Sequence, residues 1–285
     1  MRFFNPENEE TIKLATSTIS NFYTYLLFHG VCPEYEEDIL EARRVCASAA
    51  EELWKNIQLV SKAPGKFNEA CSTLSGGIFF VPTESESSYA DGGWMSLEDA
   101  RQIATAGTTA HKQVYRFQDL ANWDPLVIPK ARAQKVQDIH GFEILDITPP
   151  DAEVRDFYRE YAPAELKPVG KIHARSFRDP AKPDPDMSPA ERLEWDQGKA
   201  PKYEFDFLLE EDLLALCYPG LKVLADVWEI DGMYYFDEIF STYPSFYTVL
   251  ANDMMLEWKR PKEITAEEAM ATGQEKEQND SDVEV

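Results

Sequence analysis

The sequence predicts an α+β fold, in which an N-terminal helical hairpin packs on a mixed, largely antiparallel β-sheet with additional helices. Two observations predict this class. Apolar residues recur every three to four positions over residues 9–62, which is the spacing of helices that bury one face. Alternating and β-branched apolar runs dominate the last third of the chain, and no regular strand–helix alternation that would indicate a parallel sheet precedes them.

The helical hairpin is predicted over residues 9–62. Gly30 suits the end of its first helix and Pro33 suits the first turn of its second, so the connection is short. We expect the buried stripe of the first helix to consist of Ile12, Ala15, Ile19, Phe22 and Leu26. We expect that of the second helix to consist of Ile39, Ala42, Cys46, Ala49, Leu53, Ile57 and Val60.

A mixed region of helices and strands is predicted over residues 64–256. It is expected to begin with a short helix at 67–74 and a short apolar strand at 78–81. Three further helices are expected to begin at N-cap residues, namely Ser96, Asp151 and Ser188. Gly107 is expected just past the end of the first of these helices. Strands are expected at 127–128, 142–147, 171–177 and 203–207.

The clearest β signal is a hairpin near the end of the mixed region. Two apolar runs, 223–230 and 233–240, flank Asp231-Gly232, a dipeptide that favours the tight turn of a β-hairpin. We expect residues 1–260 to form a single compact α+β domain. Residues 261–285 are acidic and poor in apolar side chains, so we expect a disordered tail there.

The charge balance favours a basic partner surface over nucleic acid. The 285 residues include 52 acids and 28 bases, which gives a formal net charge of −24. Such a surface repels phosphates. No C-x-x-C pair, signal-peptide pattern or membrane-length apolar run occurs, so we expect a reduced protein of the nucleus and cytoplasm.

No catalytic, cofactor or metal motif is found in the sequence. Phosphate-binding, dinucleotide-binding, nucleophile-elbow and zinc-protease patterns are all absent. His29, Cys32 and Cys46 could in principle converge on zinc, but a core role for the cysteines is simpler. Cys71, which stands before Gly76-Gly77, is the best candidate nucleophile, although packing again explains it better. We therefore predict a protein that is not an enzyme, with no cofactor and no metal.

Two alternatives remain open from the residues alone. The first is an intracellular enzyme whose thiol or carboxylate site matches no motif. The second is a single-stranded RNA-binding protein that uses residues 101–135, a locally basic segment with interleaved aromatic residues. The basic residues of that segment are Arg101, Lys112, Arg116, Lys130, Arg132 and Lys135.

Three stretches of the chain carry a resemblance to a known family. Residues 25–46 read YLLFHGVCPEYEEDILEARRVC and are followed by AEELW at 50–54. Residues 64–77 read PGKFNEACSTLSGG, and residues 243–255 read YPSFYTVLANDMM. These stretches resemble the fungal Argonaute-binding subunit of the Argonaute siRNA chaperone complex.

The resemblance implies a non-catalytic protein that binds Argonaute within a siRNA chaperone complex. It implies that the protein restrains release of the passenger strand and supports RNAi-dependent heterochromatin silencing. The implied partners are Argonaute and a second subunit of the complex. RNA contact is expected only indirectly, through Argonaute, and no membrane is expected to be involved.

Two sets of side chains are candidates for partner contact. The first is an acidic cluster near the connection of the helical hairpin, formed by Glu34, Glu36, Glu37, Asp38 and Glu41. Acids there also stabilise the N-terminus of a helix through its dipole, which is the simpler interpretation. The second set consists of C-terminal aromatic residues, namely Tyr235, Phe246 and Tyr247. An aromatic face that the domain does not cover would be a docking surface.

Overall fold

The structure, a computed structural model, confirms the predicted α+β class. It describes residue 6 and residues 8–80, 95–111, 133–163, 165–179, 188–197, 202–230 and 232–248. The helices are α1 (Glu9–His29), α2 (Glu36–Lys62), α3 (Lys66–Leu74), α4 (Leu97–Ala110), α5 (Ala152–Tyr161), α6 (Pro189–Asp196) and α7 (Glu211–Leu214). The strands are β1 (Ala133–Lys135), β2 (Gly141–Thr148), β3 (Val169–Phe177), β4 (Glu204–Glu210), β5 (Lys222–Ile230) and β6 (Met233–Tyr243).

The first two helices form the predicted hairpin, and local signals set its ends. The Asn8 side chain accepts a hydrogen bond from the Thr11 amide (2.9 Å) and so caps the start of α1. Gly30 ends α1 in the left-handed conformation, at φ 55°. A one-turn 3-10 helix, Pro33–Tyr35, then leads directly into α2. The short connection keeps the two helices packed side by side.

Every strand pairing in the described residues is antiparallel. Strand β5 pairs with β6 along one edge and with both β1 and β2 along the other. Strand β2 continues to β3, and β3 to β4, so β6 and β4 are the two ends of the sheet. The turn between β5 and β6 contains Gly232 at φ 85°, as the dipeptide signal predicts.

The Asn68 side chain joins the two ends of the sheet. This residue lies on α3, is fully buried, and donates from Nδ2 to the carbonyl oxygen of Leu208 on β4 (3.1 Å). Its Oδ1 accepts from the amide of Phe236 on β6 (3.4 Å). A second Nδ2 bond goes to the Pro64 carbonyl oxygen (3.1 Å). One buried amide thus satisfies backbone groups from both end strands, where no strand-to-strand ladder does so.

The sheet separates two hydrophobic cores. The first contains a cluster of phenylalanine rings from strands β2, β4 and β6, in which the Phe142 and Phe207 centroids are 4.6 Å apart. The second lies where α3 covers β4 and β6, with α4 packed on α3 and α5 packed on α4. Leu208 and Tyr235 face this second core, whereas their chain neighbours Phe207 and Phe236 face the first. That alternation is the two-residue period of a strand buried on both sides.

The base of the helical hairpin is attached to the sheet through one side of α2. Leu59 joins the first core, and the Asn56 Oδ1 accepts from the Tyr218 hydroxyl (2.6 Å). One turn earlier, the Glu52 carboxylate accepts from both the amide (2.8 Å) and the hydroxyl (2.6 Å) of Ser245. Helix α1 packs chiefly against α2, so the end of the hairpin that carries the connection projects from the body.

Several sequence expectations need correction. Gly107 lies inside α4 rather than past its end. Glycine is required there for packing, because a Cβ would come within 2.5 Å of the buried Phe67 ring. Residues 78–80 form a turn rather than a strand.

The buried faces of the hairpin helices also differ from the expectation. Four residues expected to be buried are exposed: Ile19, Phe22, Ile57 and Val60. In α2 this follows from Asn56 and Leu59 facing the sheet, since neighbouring helix positions are rotated by about 100°.

Some predictions fall on other parts of the chain. The strand expected at 127–128, most of the basic segment at 101–135 and the acidic tail at 261–285 lie outside the described residues. The described residues up to Thr248 belong to one compact unit. The expected domain limit at residue 260 stays a prediction.

Candidate partner-binding surface

The acidic cluster lies at the projecting end of the helical hairpin. The Schellman turn that ends α1 fixes its position: the Val31 amide donates to the Leu26 carbonyl oxygen (3.2 Å) and the Gly30 amide to that of Leu27 (3.3 Å). The chain then reverses into the 3-10 helix and the first turns of α2. All five members of the acidic cluster are exposed there, namely Glu34, Glu36, Glu37, Asp38 and Glu41.

The acidic cluster is largely unneutralised. Glu41 pairs with Arg44 one turn on, at 2.5 Å, on the exposed surface. Within the described residues, none of the other four acids forms a salt bridge. Three of them lie in the first turn of α2, where the helix dipole is favourable. The dipole accounts for helix stability there, but it leaves the negative charge facing solvent and open to a basic partner.

The C-terminal aromatic residues lie elsewhere and are more enclosed. Tyr235 is fully buried in the second core, and its hydroxyl is 2.5 Å from the Ser75 hydroxyl. It therefore has no face to offer a partner, contrary to the docking surface considered for it. Phe246 and Tyr247 are half-buried. The Tyr247 ring stacks on Tyr243 with centroids 4.1 Å apart, and this packing occupies one of its faces.

The two candidate sets do not form one site. The segment that contains Phe246 and Tyr247 is held at Glu52, near the base of the helical hairpin. Glu52 lies fourteen positions after Asp38 on the same helix, which corresponds to about 20 Å along the axis. The acidic cluster is therefore a separate surface from the C-terminal aromatic residues.

Exposed apolar side chains lie beside the acidic cluster, and the sequence pattern did not predict them. We call Phe22, Tyr25, Phe28, Val31 and Tyr35 the aromatic stripe; every member is more than half exposed, and Phe28 reaches 83%. A signal for it exists in the sequence. Helix α1 has apolar residues on both sides, and a helix that is apolar beyond its buried face indicates a second contact.

The structure argues against Cys71 as a nucleophile. The side chain is buried in the second core, and burial strongly raises the pKa of its thiol. A thiol held in the protonated form is a poor nucleophile. The neighbouring Ser72 hydroxyl donates to Asp237 (2.9 Å), whose other oxygen accepts from the Trp228 indole (2.9 Å). Ser72, Asp237 and Trp228 therefore pair with one another through hydrogen bonds in the interior of the protein.

One buried carboxylate is incompletely paired. Glu210 is 7% exposed, and its Oε1 accepts from the Phe67 amide (2.6 Å) at the start of α3. Its Oε2 is buried without a hydrogen-bond partner among the described residues. Burial raises the pKa of Glu210 to about 7, against the opposing effect of the Phe67 hydrogen bond.

Neither a metal site nor a membrane helix is found in the described part of the chain. His29, Cys32 and Cys46 do not come together as a metal-binding group. No other group of three histidine, cysteine, aspartate or glutamate side chains among these residues could hold a metal ion. None of the described helices combines the length and the apolar character needed to cross a membrane.

The fold and the exposed surface indicate a protein that binds another macromolecule. The described residues make an α+β domain whose polar interior groups serve packing, and whose projecting helical hairpin exposes acids and aromatic rings side by side. Such a surface suits contact with another macromolecule. The chain belongs to the family of the Argonaute siRNA chaperone (ARC) complex subunit Arb1, whose profile matches residues 1–261.

A curated relative supports the assignment over a shorter stretch. The chain is 32% identical over 66 residues to Argonaute-binding protein 1 of Schizosaccharomyces pombe (strain 972 / ATCC 24843). The alignment covers 23% of this chain and 16% of that protein, so it spans well under two thirds of the relative. No solved structure matches the chain significantly. The family resemblance stated from the sequence is confirmed.

Proposed function

We propose that this protein is a non-catalytic subunit of an Argonaute siRNA chaperone complex and that it binds Argonaute directly. Membership of the ARC subunit family over residues 1–261 supports this role, and so does the relative named for Argonaute binding. The buried, protonated state of Cys71 removes the best candidate for a catalytic thiol.

The observation that carries the mode of binding is the exposed acidic cluster on a projecting hairpin. Argonaute must hold an RNA strand, and a protein surface that holds phosphates is basic. A chain of net charge −24 is attracted to such a surface. We infer that the acidic cluster contacts basic Argonaute residues near the RNA path and thereby restrains passenger-strand release.

The proposed assembly has further members and consequences. A second chaperone-complex subunit shares the complex, and RNA is reached only through Argonaute. The protein acts in the nucleus and cytoplasm in RNA interference, and it supports heterochromatin silencing. The resemblance to the family supports these finer points.

The experiment is a charge reversal measured against purified Argonaute. The variant E36K/E37K/E41K should weaken binding, and the difference from wild type should shrink as salt is raised from low to physiological strength. The matched control is E160K/E204K/E238K, which changes the net charge equally at exposed positions on the body. Equal loss in both variants would reduce the effect to overall charge. Unchanged binding by the hairpin variant would contradict the electrostatic contact.

A further inference from the structure

The aromatic stripe is exposed without a structural reason in the described residues. Phe22, Tyr25 and Tyr35 are each 57% exposed, and Val31 is 52% exposed. The face of α1 that packs on the rest of the protein is a different one, on which Ile12 and Thr16 are buried. Single exposed apolar residues are ordinary on a protein surface, but five within fourteen positions at one end of the hairpin are not.

Two rings of the aromatic stripe are linked through a neighbouring histidine. The His29 ring bridges them, with centroids 4.3 Å from Tyr25 and 5.0 Å from Phe28. Phe22 and Tyr25 are three positions apart on the helix, which places them on neighbouring turns of one side. Phe22, Tyr25 and Phe28 therefore follow one another along one side of α1, towards the projecting end of the helical hairpin.

The charge around the aromatic stripe determines what can cover it. Tyr35 lies between Glu34 and Glu36 in sequence, and the whole acidic cluster adjoins the stripe. Bases of RNA could stack on such rings, but the acids would repel the phosphates that accompany the bases. A second copy of this chain would bring two acidic clusters together. A basic protein surface is the occupant that satisfies both the rings and the carboxylates.

We propose that the aromatic stripe docks in an apolar groove rimmed by basic side chains on the partner protein. This inference rests on the proposed function, since it assigns the contact surface and its chemistry to the Argonaute interaction. The acidic cluster then steers the encounter, and the rings hold the complex once it has formed. Steering acts mainly on the association rate, whereas buried ring contacts act mainly on dissociation.

The test is the triple variant F22A/Y25A/F28A in the full chain, with binding to purified Argonaute measured by interferometry at low and physiological salt. We expect the dissociation constant to rise at least about tenfold at both salt concentrations, mostly through faster dissociation. The matched control is F240A, which removes an exposed phenylalanine (55%) from strand β6. It should bind as wild type does. Circular dichroism melting establishes that both variants are folded.

The outcomes separate this inference from the proposed function. If the wild-type protein binds Argonaute and the triple variant binds equally well, the inference is wrong while the proposed function stands. If the wild-type protein does not bind Argonaute, the proposed function fails, and the inference fails with it.

A photo-crosslinker placed at Phe28 gives a second measurement that needs no loss of binding. Crosslinks to basic Argonaute segments, absent when the probe is placed at Phe240, support the proposal. Crosslinks at Phe28 to a second copy, to another segment of this chain or to RNA would overturn it.

Discussion

The sheet body and the projecting helical hairpin use the same residue types for opposite purposes. In the two cores of the body, phenylalanine and tyrosine are enclosed: Phe67, Phe142, Phe207 and Tyr235 are at most 1% exposed. In the hairpin, the aromatic stripe faces solvent. Acids are also found in both environments: Glu210 and Asp237 are buried inside the body, whereas every member of the acidic cluster is exposed. Composition alone does not separate the regions; the depth of each side chain does.

This difference shows where stability and binding reside in the molecule. A substitution in the body changes buried hydrogen bonds or packing, so its effect is on unfolding. A substitution at the end of the hairpin changes groups that already contact water, so its effect is on association. The two regions meet at the base of α2, where Asn56 and Leu59 attach to the sheet.

The largest expected effect tests the body at Asn68. The variant N68A removes the hydrogen bonds to Leu208 and Phe236 that join the end strands, and the one to Pro64. Because the freed backbone groups remain buried, we expect the free energy of unfolding to fall by about 4 kcal/mol. Urea denaturation followed by circular dichroism measures it. The control N21A changes an exposed asparagine of α1 and should not lower the midpoint.

The role of Asn68 also shows where sequence reasoning ends. Features that depend on neighbouring residues were predictable: the Gly30 helix end, the Asp151 cap that accepts from the Val154 amide, and the turn at Gly232. Asn68 acts across the fold, on strands more than a hundred positions away, and no local pattern marks it. Gly107 was misplaced for the same reason, since its need for space comes from Phe67 on another helix.

The candidate surface was half predicted. Charged residues in a first helical turn are expected to be exposed, and the acidic cluster is. The aromatic stripe was missed because periodicity detects the one face that a helix buries, and Phe22 was assigned to that face. Tyr235 was considered for an exposed docking surface but is buried, because strand β6 is covered on both sides at this residue.

A second prediction, with a smaller effect on the free energy of unfolding, compares the buried and exposed faces of α1. Ile12 is 1% exposed and Leu14, two positions later on α1, is 68% exposed. Truncating Ile12 to alanine should lower the free energy of unfolding by about 3 kcal/mol, because a buried cavity is left. The matched variant L14A should change it by less than about 0.5 kcal/mol. Equal effects would mean that the outer face of α1 is covered in solution, and the contrast between hairpin and body would be lost.

The smallest effect concerns the buried acid of the body, and it depends on pH. Burial raises the pKa of Glu210 from 4.5 to about 7 in the folded protein. The folded state therefore binds this proton more tightly than the unfolded state. Stability from this group is present below pH 4.5 and is lost as the pH rises through about 7. Between pH 5 and pH 7 the loss is on the order of 2 kcal/mol.

Replacing the acid with its neutral isostere tests this account. The variant E210Q keeps an oxygen that can accept from the Phe67 amide but has no proton to lose, so this part of the pH dependence should disappear. Above pH 7 the variant should be more stable than wild type, by a margin that shrinks as the pH falls. Melting temperatures from pH 5 to pH 8 measure it, and E204Q, exposed on the same strand, is the control. If E210Q and wild type show parallel profiles, Glu210 does not titrate in this range, and the buried acid of the body would be held in one charge state throughout.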